Sequence, residues 1–270
     1  MMKSLSLPLR FGQPAVHYGR GFLLPLILLA AWWIVARFHL VSALLLPKPE
    51  AVVATFVTLF QNNLLWSSLE CSLELVVYGF LLGAGGGLLF GTLMGMSRTL
   101  EKMGMPLFNV IRQVPLVAWI PLLILWCGIG QPAKIIFIAV GASYPVVLNT
   151  LAGIRGVPKD YLEVAHVFQY SRLKLWKRVL LPAALPSIFT GIRLSLSKSW
   201  TMVIGAEAFM ANVSTGIGNL MVEGGEQFRM DVVIVCIIVI GVIGLAMNQA
   251  LRLFERHFLR WKSGFNVENA

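Results

Sequence analysis

The side chains able to do chemistry in this 270-residue chain are few, and most of them can be set aside. His17, His39, His166 and His257 are scattered and pair with no carboxylate or thiol in a catalytic constellation. Cys71, Cys127 and Cys236 stand alone, within or beside apolar runs, and read as small buried hydrophobes, not as metal ligands. No HExxH or G-x-S-x-G occurs, so an intramembrane hydrolase lacks its residues. The chain contains no Gly-Lys pair and therefore no G-x-x-x-x-G-K-[ST] loop to cradle a nucleotide phosphate.

Two segments keep polar side chains where composition would not place them by chance. One holds Glu163 in the run 154–183. The other is the apolar run 184–210, which carries a stripe of Ser187, Thr190, Gly191, Ser197, Lys198, Thr201 and Gly205, with Arg193 beside it. Lys198 lies about 18 Å along a helix counted from Pro186, close to the middle of a hydrocarbon layer about 30 Å thick. A cation at that depth is costly and marks a functional site or a structural ion pair. Glu70, Glu74 and Glu207 are the candidate structural partners, and an anionic solute is the functional one. Arg193 is shallower and can snorkel. The two cations point about 140° apart on an ideal helix, so they do not hold one ligand together.

The elements that must position these residues are membrane helices. The chain is 57% hydrophobic and 13% charged, with a mean hydropathy of +0.79. A soluble domain carries about 25% charged residues. The net charge of +10 therefore reflects basic loops, not a nucleic-acid-binding face. Apolar runs predict six spans, at 21–40, 68–97, 105–127 (interrupted by Pro115 and Pro121), 133–153, 184–210 and 231–251. The first run ends near Val41-Ser42-Ala43, but it is longer than a signal-peptide core of about 7–15 residues, so it reads as a span. With both termini inside, sixteen Lys and Arg fall in inner segments, from Lys3, Arg10 and Arg20 to Arg260 and Lys262. Only Arg37, Lys48, Lys134 and Arg229 fall outside, as the positive-inside rule requires of an N-in, C-in protein. The expectation is an all-α polytopic protein. It has an inner N-terminal segment 1–20, a transmembrane domain 21–252 and an inner tail 253–270.

Three local patterns complete the reading. Val52, Val53, Phe56 and Phe60 recur at helical spacing and predict a short amphipathic helix on the membrane surface. Gly79, Gly83, Gly87, Gly91 and Gly95 follow one another every four residues, which strips one helix face bare for close backbone packing or for sliding. The inner loop 154–183 predicts two short helices. Asp160 and Glu163 sit near the positive start of the first, and Tyr161, Ala165 and Phe168 share a face. Ser171 caps the second, which ends at Pro182 and Pro186.

That loop resembles the EAA motif of bacterial ABC-importer permeases. Glu163, Ala165, Val179, Leu181 and Pro182 occupy matching positions. Val164 and Gln169 depart from it, the latter where the family carries a glycine suited to a positive-φ turn. The segments 111–135 and 181–200, with Glu207, Gly216-Ile217-Gly218 and FERHFLRW at 254–261, resemble the nitrate/sulfonate/taurine branch, most of all the aliphatic sulfonate permeases. The resemblance implies the transmembrane domain of a type I importer in the bacterial inner membrane. Such a permease forms a homodimer with a cytosolic ATPase dimer and a periplasmic solute-binding protein. ATP and magnesium belong to the ATPase, and this chain carries no cofactor or metal. It implies that Glu163, Ala165, Phe168, Gln169, Val179, Leu181 and Pro182 couple to the ATPase. Ser197, Lys198, Thr201, Arg193 and Glu207 become candidates for the solute path. The cargo implied is an aliphatic sulfonate, taurine or nitrate. The alternatives are a vitamin precursor or aromatic acid carried by the same machinery, or a secondary transporter.

Overall fold

The computed structural model describes residues 17–210 and 216–258, and the described residues form helices and connecting turns without a strand. Most of the predicted inner tails, 1–20 and 253–270, lies outside the described residues or at their edge. Eleven α-helices are described: α1 (His17–Arg37), α2 (Pro49–Gln61), α3 (Leu64–Met96), α4 (Arg98–Gln113), α5 (Ile120–Cys127), α6 (Gln131–Arg155), α7 (Lys159–Val167), α8 (Arg172–Leu175), α9 (Leu181–Phe209), α10 (Ile217–Glu226) and α11 (Met230–Phe258).

Four helical stretches are long and apolar enough to cross a membrane: Leu64–Met96, Gln131–Arg155, Arg172–Phe209 and Met230–Glu255. The described apolar part of α1, Leu23–Arg37, is shorter. The expected third span is not one rod. It divides into α4 and the Leu116–Cys127 segment, bent by 94°. The cause is local, since Val114 is extended and the following Pro115 has no N–H to continue a helix. Among the described residues four stretches, or five if the bent pair crosses once, meet that measure where apolar runs predict six, and the first predicted run falls on α1.

The bundle is organised by α6, half of whose apolar window is buried, packed between α3 and α9. The glycine ladder explains how α3 comes so near. A Cβ on Gly83 would sit 2.3 Å from the Ala139 carbonyl, and one on Gly91 would sit 2.9 Å from the Val147 carbonyl. Ile138, Ala142, Val146, Thr150 and Ile154 of α6 meet Gly79, Gly83, Gly87, Gly91 and Gly95 in turn. Both rows advance by four residues in the same direction, so α3 and α6 run parallel. Residues 97–130 must therefore carry the chain back along that contact.

The amphipathic helix is present as α2, and its apolar residues divide between a face packed on the protein and an exposed one. Val52, Thr55 and Leu59 are buried, joining a core with Val232, Val235 and Cys236 of α11. Val53, Phe56 and Phe60 are exposed. Thr55 Oγ1 donates to Asp231 at 2.6 Å, and Arg229 donates to the same carboxylate at 2.9 Å, fixing α2 to the start of α11. Trp33 of α1 donates to Glu50 at 3.2 Å. The backbone N–H of Glu50 and that indole together hold its carboxyl below the ordinary value.

Candidate coupling surface and polar face of α9

The short helix α7 stands on one small residue. Ala165 is 3% exposed, and its methyl lets the helix rest against the body of the protein. Around it Tyr161, Val164, Val167 and Phe168 are all more than half exposed, and Glu163 is exposed among them. The expected common face of Tyr161, Ala165 and Phe168 is thus divided, with the alanine inward and both aromatics outward. An exposed carboxylate ringed by apolar side chains suits contact with a partner better than contact with water.

The turn after α7 resolves the Gln169 departure. Gln169 adopts φ 48°, the left-handed conformation usually given to glycine. Its N–H donates to the His166 carbonyl at 2.9 Å, and the Tyr170 N–H donates to the Ala165 carbonyl at 3.0 Å. That pair of bonds is a Schellman closure, which satisfies the last carbonyls of α7. Glutamine therefore keeps the turn. Ser171 then caps α8 as expected, its Oγ accepting from the Lys174 N–H at 3.4 Å. Lys174 Nζ lies 4.4 Å from the Tyr170 ring centre, a cation–π contact that braces the turn.

Pro182 does not end this segment. Residues 172–209 form one continuous helical stretch, with a π-helical turn at Trp176–Leu180 leading into α9. The Leu181 N–H donates to the Trp176 carbonyl, five residues back, in the step before a proline that has no N–H to donate. The coupling segment and α9 are therefore parts of one rod, about 57 Å long at 1.5 Å per residue.

Along α9 the predicted polar stripe separates into two parts. Ser187 donates to the Asn149 carbonyl at 2.8 Å, and a Cβ on Gly191 would lie 2.8 Å from Asn149, so this end packs on α6. Farther on, Ser197, Lys198 and Thr201 are exposed. Lys198 makes none of the ion pairs found among the described residues. Arg193 instead donates to Glu255 of α11 at 2.9 Å. Beside that pair, Ser197, Trp200 and Thr201 of α9 and Gly244, Met247 and Asn248 of α11 line a cleft of about 210 Å³. Trp200 closes its floor by donating to the Ile240 carbonyl at 3.0 Å.

Glu207 lies apart from this face. It is fully buried, and accepts from Ser72 Oγ at 2.6 Å and from the Gly218 N–H at 2.7 Å. The sequence grouped it with the solute path, but the structure sets it in the interior among α3, α9 and α10.

A family model for the binding-protein-dependent transport system inner membrane component matches residues 87–260. The chain belongs to that family. A Bacillus subtilis relative named as an aliphatic sulfonates transport permease, SsuC, is 37% identical over 94% of this permease and 91% of its own length. The taurine transport system permease TauC of Escherichia coli is 33% identical over 87% of this permease and 86% of its own length. The nitrate import permease NrtB of Leptolyngbya laminosa is 36% identical over 69% and 66%. A solved amino acid ABC transporter, crystallised with histidines, has 21% identity and a TM-score of 0.62. It covers 75% of this permease and 98% of that chain, and so shares the fold. The permease is a multi-pass inner-membrane protein.

Several contacts in the permease were not read from its sequence. Arg193 and Glu255 each stood in a family-like segment, yet nothing paired them across 62 residues. Ser72 lies inside an apolar run, where its four-residue spacing from Ser68, repeated by the glycines that follow, is the one signal in the sequence that points to it.

Proposed function

We propose that this permease is the membrane subunit of an ATP-driven importer that takes a small anion from a periplasmic binding protein. It would work as a homodimer, oriented N-in and C-in, with ATP hydrolysed by separate cytosolic subunits. The observation that carries the proposal is the single helical rod running from the α7 turn into the exposed Ser197–Lys198–Thr201 face. A force applied at α7 would pass through the closed Gln169 turn and the packing of α7 on Trp176–Leu180, and then along one continuous helix to that face. Glu163 and the apolar ring around it would seat in a groove of the ATPase, where a charge-assisted contact is strong. Lys198, Ser197 and Thr201, on a helix of membrane-spanning length, need polar surroundings. A path shared by two copies would supply them.

The cargo proposed is an aliphatic sulfonate, taurine or nitrate. The support is the naming of relatives for these solutes and the positive charge of Lys198 on the open face. The test is co-purification of the tagged permease with its coexpressed ATPase, comparing wild type with Glu163→Lys. Wild type is expected to retain the ATPase and the charge-reversed variant to lose it. Loss of ATPase from both in mild detergents would sink the coupling assignment. Uptake by reconstituted vesicles with the binding protein present, using taurine, alkanesulfonates and nitrate in turn, then ranks the cargo.

A further inference from the structure

The interior of the permease holds a polar knot that neither the solute path nor the coupling surface uses. Its centre is Glu207, an acidic side chain shut off from the surface. Each carboxylate oxygen has its own donor, Ser72 on Oε1 and the Gly218 amide on Oε2. Ser72 in turn accepts the Ile217 N–H at 2.9 Å. Two consecutive amides in the first turn of α10 are thus bound by α3 and α9. A helix start carries unsatisfied N–H groups and partial positive charge, so a carboxylate is its natural partner. Lys134 of α6, also buried, lies within electrostatic reach of Glu207.

The glycines on either side make this approach workable. A Cβ on Gly216 would sit 2.2 Å from the Glu207 carboxylate, and one on Gly218 would sit 2.9 Å from the Ile204 carbonyl. No larger residue fits between the α10 turn and the carboxylate. The Gly216-Ile217-Gly218 pattern, conspicuous in the sequence, is the counterpart of Glu207.

We infer that Glu207 is a positioning residue for transport: its carboxylate fastens the first turn of α10 to the end of α9, so α10 moves with α9 when the coupling end is displaced. The inference rests on the importer reading above. α9 begins next to the coupling segment and ends two residues beyond Glu207, at Phe209. The rod therefore starts beside α7, across the Gln169 turn, and ends beside α10. Without the clasp, α9 could shift while α10 stayed behind, and the two ends of the permease would lose step.

The test uses the permease assembled with its ATPase in lipid nanodiscs for hydrogen exchange, and in vesicles with the binding protein for solute uptake. Glu207→Gln is the conservative variant. Its amide oxygen can still take the Gly218 N–H, and its NH2 can donate to Ser72, whose hydroxyl then turns to the Ser68 carbonyl, 3.1 Å away. Glu207→Leu removes the clasp, and Gly216→Ala displaces it while leaving the carboxylate in place. Both disruptive variants should exchange the Ile217 and Gly218 amides at least about tenfold faster, with a comparable loss of uptake and no loss of bound ATPase. Glu207→Gln should stay within about threefold of wild type in both readouts. Faster α10 exchange with undiminished uptake would overturn the inference, as would Glu207→Gln failing as badly as Glu207→Leu. If wild type itself binds no ATPase, the importer reading fails instead, and the exchange data still report on the clasp. Should Glu207→Leu not fold, Gly216→Ala alone decides.

Discussion

The turn at Gln169 offers the sharpest quantitative test of how the coupling surface is held. Gln169 sits at φ 48°, and a residue with a Cβ in that conformation costs about 1–2 kcal/mol relative to the right-handed region. Glycine escapes the cost but loses more backbone freedom on folding, by about 0.5–1 kcal/mol. The difference leaves Gln169→Gly more stable locally by about 0.5–1 kcal/mol, a two- to fivefold drop in the opening equilibrium. Gln169→Val adds a β-branch to a backbone that tolerates it poorly, and should open the turn by about 1–2 kcal/mol, roughly five- to thirtyfold. The assay is hydrogen exchange at the Gln169 and Tyr170 amides, whose bonds to His166 and Ala165 form the closure. If Gln169→Gly speeds exchange, or Gln169→Val leaves it unchanged, the left-handed turn does not hold the end of α7 and the argument is refuted.

Two further predictions concern packing inside the bundle. Gly83→Ala pushes a methyl to within 2.3 Å of the Ala139 carbonyl, whereas Gly85→Ala on the same helix meets nothing within 4 Å. The first should lower the thermal midpoint of the purified permease, by about 1–3 kcal/mol or more of destabilisation; the second should be neutral or stabilise by about 0.5–1 kcal/mol. Equal effects would mean that α3 and α6 do not pack as described. Arg193→Glu and Glu255→Arg should each destabilise by about 1–3 kcal/mol, and the double swap should recover most of the loss. Additive losses in the double variant would show that the pair makes no net contribution.

Much of this fold was legible because long apolar runs state their own limits. The runs at 68–97, 133–153 and 231–251 became Leu64–Met96, Gln131–Arg155 and Met230–Phe258. Where the chain bends, hydropathy is a poor guide. Pro115 and Pro121 interrupt the 105–127 run in the sequence, but an apolar average does not register that Val114 and Pro115 bend it by 94°. The same limit applies to Pro182, which is a helix stop in general yet is carried here by a π turn. Short-range signals served well in the coupling loop, where Ser171 caps as its type predicts. The Gln169 turn had to be seen, since glutamine does not announce a positive φ. What the sequence could not reveal are pairings set by tertiary approach. Glu207 with Ser72, 135 residues away, and Arg193 with Glu255 depend on which helices become neighbours.

The π turn at Trp176–Leu180 has a consequence for rotational phase. Such a turn accommodates one residue more than an α-helical turn would, and one residue corresponds to about 100° around the axis. Removing a single residue from this stretch would leave every contact of α9 with α6 and α11 in place. It would relax the turn to an α-helical one and leave α7 and Glu163 near their present azimuth, whereas the same deletion from a regular α-helical stretch would swing them a little more than a quarter-turn about the rod. The π turn therefore lets this stretch hold one residue more or one fewer while both the azimuth of the coupling surface and the packing of the bundle stay as they are.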